Sequence, residues 1–467
     1  MNLFKIDTLK ENNTAILTDD DISLSYNQIY EMGKILTENI EQRTLVFCLC
    51  KNNIASFIGY TAFINGKIVP LMLDSKIDKS LLIKLIERYR PKYILSPIEN
   101  SRDFNSFIKI KKIENYVLLE NTSSKMYEIH DDLGLLLTTS GSTGSPKLVR
   151  LSYENIISNA ESIVEYLSID ENERPITSLP MHYSFGLSII NSHLIMGSTI
   201  LLTNYSLVEK YFWSFLITKK ATSLSGIPYT FEILKKLRFL KMDIPYLKTI
   251  TQAGGKLNDQ LNREFAEYCF NTNKRFFVMY GQTEASARMS YLPHKYSINK
   301  LGSMGIAIPG GEFSLIGENG NTIRVSEKEG ELVYKGKNVS MGYAICGEDL
   351  AKGNENNGTL ITGDLAKRDS DGFYYIVGRK KRFIKLFGNR INLDETERLL
   401  KNVISDCACS GQDDEMAIFI TDKNKIEDVK SFLSQKTGIN TQAFAVNYIP
   451  EIPKNTSGKT IYSKLPL

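Results

Sequence analysis

The feature that most constrains this chain is an alternation that begins near residue 45. Short apolar runs, Leu45-Val46-Phe47-Cys48-Leu49, Ile68-Val69-Pro70-Leu71-Met72 and Tyr93-Ile94-Leu95, read as strands. Between the last two, Leu81, Leu82, Leu85 and Ile86 recur at helical spacing. Strand–helix–strand alternation predicts a parallel sheet covered by helices, because parallel neighbours need a crossover and a helix supplies it. The pattern returns at Leu135-Leu136-Leu137, where a strand runs into a glycine-rich loop. A helix capped by Ser152 then begins, with Ile156, Ala160, Ile163, Val164 and Leu167 on one face. After about residue 310 strand-like segments are broken by turns such as Glu318-Asn319-Gly320-Asn321 and Asp369-Ser370-Asp371-Gly372. Beyond Arg379 a compact α+β unit is expected, with helices around 394–403 and 426–436 and strands at 416–421 and 444–448.

A chain of 467 residues is too long for one ordinary domain. Its net charge of +4 balances 57 basic against 53 acidic residues, which gives no reason to expect a nucleic-acid partner. The short basic runs, Arg379-Lys380-Lys381-Arg382 and Lys109 to Lys112, read as solvated faces. No stretch reaches the roughly 18 apolar residues of a membrane span, and the opening residues lack a signal-peptide core. Cys48/Cys50 and Cys407/Cys409 sit at strand spacing, so each pair shares a face. With four histidines in the whole chain, buried thiols in a reducing cytoplasm are expected rather than a zinc site.

The most informative stretch is Thr138-Thr139-Ser140-Gly141-Ser142-Thr143-Gly144-Ser145-Pro146-Lys147. Two glycines permit tight turns that aim several N–H groups at one anion, hydroxyls add donors, and Lys147 adds a cation. It is neither a Walker loop, since Pro146 precedes the lysine and Leu148 follows it, nor a dinucleotide fingerprint. A flexible linker would lack the strand before it and the capped helix after it. Phosphate binding is therefore expected of Thr139, Ser140, Gly141, Ser142, Thr143, Gly144 and Lys147.

The loop resembles the phosphate loop of the adenylate-forming superfamily, which holds acyl- and aryl-CoA synthetases, peptide-synthetase adenylation domains and luciferases. Further blocks carry the resemblance in order. Leu24-Ser25-Tyr26-Asn27-Gln28-Ile29-Tyr30 is similar to the segment that opens the family's first helix. Tyr280-Gly281-Gln282-Thr283-Glu284-Ala285 resembles its second signature: the tyrosine ring can stack on adenine, Thr283 can reach a phosphate, and Glu284 offers the oxygen ligand magnesium prefers. Ala253-Gly254-Gly255 lets backbone approach a ligand, and in the family borders the adenine and acyl pockets. Thr362-Gly363-Asp364 and Gly378-Arg379 resemble the ribose-binding block, with Asp371-Gly372-Phe373-Tyr374 between them.

The resemblance further implies a hinge at Lys381, a thiol tunnel approached by Gly388, and a catalytic lysine, Lys459, within Pro453-Lys454-Asn455-Thr456-Ser457-Gly458-Lys459. Two features depart from the usual pattern: Leu148 stands where glycine is common, and the C-terminal unit is short. The implied fold is α/β. A large N-terminal ATP- and acyl-binding domain, 1–379, has parallel-type sheets packed with helices plus a β-rich part, and a small mobile α+β domain spans 380–467.

The implied chemistry is activation of a small-molecule carboxylic acid as acyl-AMP, with ATP consumed, Mg2+ as the cofactor and pyrophosphate released. Thr283, Glu284 and Lys459 would act in that step, and a thiol would then take the acyl group. Pro180-Met181-His182-Tyr183-Ser184-Phe185-Gly186-Leu187 aligns with the start of the acyl pocket, to which Gly281 also contributes. Adenylation domains for α-amino acids carry an aspartate after that phenylalanine, and here Gly186 stands there. An ammonium buried without a counter-charge is costly, so an uncharged acyl, aryl or hydroxy acid is expected, with His182 a pocket donor or a core histidine.

Coenzyme A is the expected acceptor. The alternative is a stand-alone adenylation enzyme loading the phosphopantetheine of a separate carrier protein. The sequence runs eight residues past Lys459, so a fused carrier is not expected. A catalytically silent nucleotide-binding homologue would have lost the terminal lysine or the loop, and both are present.

Overall fold

Alternate residues of the strand Leu45–Cys50 enter different hydrophobic cores, and this one strand explains much of the architecture. Val46, Cys48 and Cys50 join one core with the helix Ile54–Asn65, while Leu45, Phe47 and Leu49 join another with the helix Lys79–Tyr89. A strand buried on both faces needs apolar residues throughout, which is why the run reads as continuous rather than alternating. The computed structural model describes residues 4, 13–104, 106–122, 126–138, 147–386, 389–401, 403–454 and 460–466.

The chain divides into two compact units. The first comprises Met1–Thr139, Pro146–Phe313 and Tyr334–Leu360. Its largest sheet has eight strands, in spatial order Gly342–Ala344, Leu148–Ser152, Leu133–Thr138, Val69–Asp74, Leu45–Cys50, Tyr93–Pro97, Tyr116–Asn121 and Phe107–Ile113. The four strands from Leu133–Thr138 to Tyr93–Pro97 are mutually parallel, and those flanking them on both sides pair antiparallel. A second sheet sets Ser223–Gly226, Thr249–Gln252 and Arg275–Tyr280 in parallel, then adds Ser290–Leu292 and Ile306–Ala307 antiparallel. The parallel α/β expectation is borne out.

Ser152 caps the helix Tyr153–Leu167 through a reciprocal box with Asn155, and Ser25 with Gln28 does the same for Tyr26–Thr37. A strand the sequence analysis did not foresee, Leu148–Ser152, stands between the glycine-rich loop and the first of these helices. It explains Leu148, which is fully buried and paired with Ala344.

The second unit includes Ser314–Val333 and Ile361–Leu467. Its hairpin pairs residues 364–368 with Tyr374–Arg379 across the foreseen turn, where Gly372 takes φ +89 and the Asp369 carboxylate accepts from the Phe373 amide. Further on, Cys407–Gln412, Glu415–Ile420 and Phe444–Tyr448 form a sheet against the helices Leu393–Leu400 and Ile426–Thr437. Arg382 is held there by Asp394 at 2.8 Å and Glu397 at 2.6 Å, and lies over the Tyr462 ring. The cysteines are free, and five of the six are buried. Among the described residues no helix is long and apolar enough to cross a membrane.

His193, in the helix Ser184–Leu194, is buried with Nδ1 2.8 Å from the Ile189 carbonyl. Burial pulls its pKa from an ordinary 6.5 to about 4, the neighbouring Arg288 cation adding to the effect against the hydrogen bond. The folded-state pKa is depressed, so the unfolded chain binds the proton first and stability falls as pH drops from 6.5 towards 4. We expect the His193→Gln variant to lose about 2 to 3 kcal/mol less than the parent between pH 7 and pH 4.5, read by urea denaturation. Equal losses in both proteins would remove His193 as the cause.

Candidate functional site

Tyr280 is the last residue of the buried strand Arg275–Tyr280, so the chain leaves the sheet at the carboxyl end of a parallel strand, where α/β sheets place ligands. The next residues turn very tightly. A Cβ on Gly281 would stand 1.6 Å from the Ala287 carbonyl oxygen, a collision no flexible side chain could relieve. Ser286 and Ala287 have φ of +58 and +105, a region that non-glycine residues rarely occupy. Their neighbours hold them there. The Asn338 amide donates to the carbonyls of Ala285 and Arg288, at 2.8 and 3.0 Å, and the Ser286 hydroxyl donates to the Asn338 carbonyl at 2.8 Å.

This loop presents Thr283 and Glu284. The Thr283 hydroxyl is 3.1 Å from that of Ser184 at the start of the helix Ser184–Leu194. Glu284 Oε1 accepts from the Tyr343 hydroxyl at 2.7 Å, and its backbone carbonyl accepts from the Ser340 amide. Burial, and then the adjacent Glu284 charge, push the Tyr343 phenol well above its ordinary range, so it stays a donor. The Lys147 ammonium sits over the same tyrosine ring, 3.7 Å from its centroid. One ring therefore fixes a carboxylate at its edge and a cation on its face.

The remaining blocks of the first unit gather nearby. Gly254, at φ +82, approaches the Tyr183 hydroxyl so closely that a Cβ would lie 2.8 Å from it. Gln252 donates to the Gly255 carbonyl at 2.8 Å, and its Oε1 is buried without a partner among the described residues. Ala253 is tied by its amide to the Gly226 carbonyl. Phe185 is buried with the Arg288 guanidinium 4.9 Å from its ring centroid. A Cβ on Gly186 would be 2.2 Å from the Pro180 carbonyl oxygen, so this backbone admits no aspartate there. His182 takes a different partner: its Nε2 lies 3.8 Å from Asp74, and burial lowers its pKa against that carboxylate's pull.

In the second unit the hairpin register sets Asp364 opposite Arg379, with 3.9 Å between Arg379 Nε and Asp364 Oδ1. Asp364 is buried and Arg379 mostly exposed, and the Asp364 amide donates to the Thr362 hydroxyl. Lys381 lies in the short turn Lys380–Arg382 that follows. Thr139, Ser140, Gly141, Ser142, Thr143, Gly144, Gly388 and Lys459 lie outside the described residues. Lys454, on the near side of Lys459, pairs with Asp406 at 2.6 Å and bridges to Thr460 on the far side.

No group of three or more metal-ligating side chains is found among the described residues. Glu284, with one oxygen still without a described partner, instead suits a magnesium ion that arrives with a nucleotide and keeps phosphate and water ligands. Sequence reasoning missed Ser184, Tyr343 and Arg288. Only Arg288 carried a signal, a charge inside the otherwise uncharged run Ala285-Ser286-Ala287-Arg288-Met289-Ser290.

The model of the AMP-binding enzyme family matches residues 7–344. A 2-succinylbenzoate–CoA ligase of Bacillus licheniformis is 28% identical over 465 residues, spanning 95% of each protein. A luciferin 4-monooxygenase of Nipponoluciola cruciata is 26% identical over 93% of this chain and 77% of its own length. Among solved structures, the O-succinylbenzoate coenzyme A synthetase of Bacillus subtilis in complex with AMP superposes with a TM-score of 0.82 at 21% identity, covering 99% of this chain and 98% of that one. The fold is shared over essentially the whole length.

Gly281→Ala is expected to destabilise the protein by about 3 kcal/mol or more, because backbone meets backbone and overpacking has no side chain to displace. Urea denaturation measures it. A loss below about 1 kcal/mol would mean that the 281–288 turn relaxes freely.

Proposed function

The chain belongs to the AMP-binding enzymes, and from that membership we propose that it is an ATP-dependent ligase that joins a carboxylic acid to a thiol through an acyl-adenylate. The observation that carries the reading is the Lys147–Tyr343–Glu284 arrangement beside Thr283, which suits a nucleotide's phosphates and their magnesium. The named relatives support the same chemistry, since 2-succinylbenzoate–CoA ligases join an acid to coenzyme A.

In the first half-reaction a carboxylate oxygen attacks the α-phosphorus of ATP. The new P–O bond forms as the bond to the bridging oxygen breaks, and pyrophosphate leaves with that electron pair. Two anions must be brought together, so positioning and electrostatics supply most of the catalysis. Lys147 and the 139–144 loop hold the phosphates, Thr283 donates to phosphate oxygen, and Glu284 would hold the magnesium ion that accompanies ATP, whose charge would offset that of the pyrophosphate. Tyr280 stacks on adenine beside the Ala253–Gly255 stretch, and Asp364 and Arg379 hold the ribose. Lys459 bridges the attacking carboxylate and the α-phosphate.

In the second half-reaction the thiol sulfur attacks the acyl carbon and AMP departs as the thiol proton is released. Lys459 must leave first, which calls for rotation of a C-terminal domain, 380–467, about Lys381 so that the Gly388 loop meets the thiol. The core built from Ile384 to Phe444 supports a domain that moves as one body. Coenzyme A is the acceptor, and the cytoplasm is the place of action. A carrier protein's phosphopantetheine presents the same thiol, so thioester formation is to be assayed with each.

Lys459→Ala is expected to lower acid-dependent ATP–pyrophosphate exchange by about a hundred- to a thousand-fold while sparing transfer from a preformed adenylate. Unchanged exchange would refute the lysine's role. Lys381→Pro should harm thioester formation more than adenylation, and equal damage to both would argue against the hinge.

A further inference from the structure

Two arginines of this chain, Arg150 and Arg288, rank among its largest fully buried side chains, and they differ in one respect. Arg150 is ion-paired with Glu355. Arg288, 2% exposed, has only neutral partners among the described residues: Nε is 3.1 Å from the Ser188 hydroxyl, and Nη1 is 3.1 Å from the Tyr166 hydroxyl and 3.3 Å from Met279 sulfur. Its Nη2 donates to no described residue, and the Phe185 ring lies against the guanidinium. A buried cation without a counter-anion is costly, and a ligand that brings an anion offsets that cost.

Its position says which ligand. Ser188, which touches Arg288, and Ser184, which touches Thr283, are four residues apart on one helix, so they stack on one face about 6 Å apart. The guanidinium is thus roughly one helical turn from the Thr283 hydroxyl. Resting on the ligase reading above, we propose that Arg288 is a specificity-determining residue and that the acid this enzyme activates carries a second carboxylate, set a short spacer from the one adenylated. The second carboxylate pairs with Arg288 and stays unreacted while the first meets the nucleotide.

The test uses matched pairs of acids: succinate with butyrate, glutarate with pentanoate, adipate with hexanoate, and phthalate with benzoate. In ATP–pyrophosphate exchange the best diacid should exceed its monoacid by at least about a hundred-fold in kcat/KM, because a site built around a polar group rejects the analogue lacking it. Arg288→Met should erase that preference chiefly through KM for the diacid, leaving KM for ATP unchanged, and Arg288→Lys should restore part of it.

Calorimetric binding of each pair in the presence of AMP reads the same preference without turnover. Diacid binding without exchange would therefore remove the ligase reading and keep this one. Exchange or binding that favours the monoacids in the parent enzyme overturns the proposal. So does a folded Arg288→Met that loses both members of a pair equally, and if that variant does not fold, the parent's preference and Arg288→Lys decide.

Discussion

The carbonyl of Ala287 occupies the space that a side chain at position 281 would need, and the presentation of the candidate site follows from that contact. Only glycine lets the chain fold back so tightly after the strand ending at Tyr280. The fold-back forces Ser286 and Ala287 to positive φ, at a cost of about 1 to 3 kcal/mol each for such conformations. Hydrogen bonds from Asn338 and Ser286 offset that cost. Within the same few residues Thr283 turns towards Ser184, Glu284 towards Tyr343, and Arg288 into the core between two helices. A rigid turn is what a charge-stabilising site requires, since groups that must reorganise during reaction lose much of their electrostatic benefit.

The segment that fastens this turn is also the segment that completes the large sheet. Tyr343 lies in the edge strand Gly342–Ala344, paired with Leu148–Ser152, which continues directly from Lys147. Lys147 and Tyr343 are therefore neighbours because two antiparallel strands are in register, and Glu284 joins them because the turn from the other sheet is pinned to the same segment. Three residues from three distant parts of the sequence meet through backbone pairing rather than through side-chain attraction alone.

Much of this was legible from the sequence, and what was not shares one physical cause. Periodicity found the strands and helices, Ser25 and Ser152 announced their caps, and the Asp369–Gly372 turn foretold the hairpin that sets Asp364 opposite Arg379. These signals are local. Leu148–Ser152 went unseen because five residues containing Arg150 look like a loop until Glu355, some two hundred positions away, is known to neutralise the charge. Tyr343 and Ser184 were silent for the same reason, since each is ordinary until its partner from another block is beside it. In sequence Gly186 reads as a missing aspartate; the Pro180 carbonyl adds that this backbone has no room for one.

That last point and Arg288 act in the same direction on substrate choice, although they arise independently. Gly186 removes the place where a counter-charge for an ammonium could stand, and Arg288 puts a positive charge against Phe185, one residue away. Two unit charges of like sign about 5 Å apart repel by about 3 kcal/mol at an effective dielectric near 20, roughly a hundred-fold in affinity. An α-amino acid whose ammonium came that near Arg288 would meet both penalties at once. A carboxylate would meet neither, and would relieve the cost that the fold already bears by burying a guanidinium among hydroxyls and a thioether. If Arg288 reads the acid as proposed, the same electrostatics that exclude one class of acid select another, without any residue of the adenylating machinery having to change.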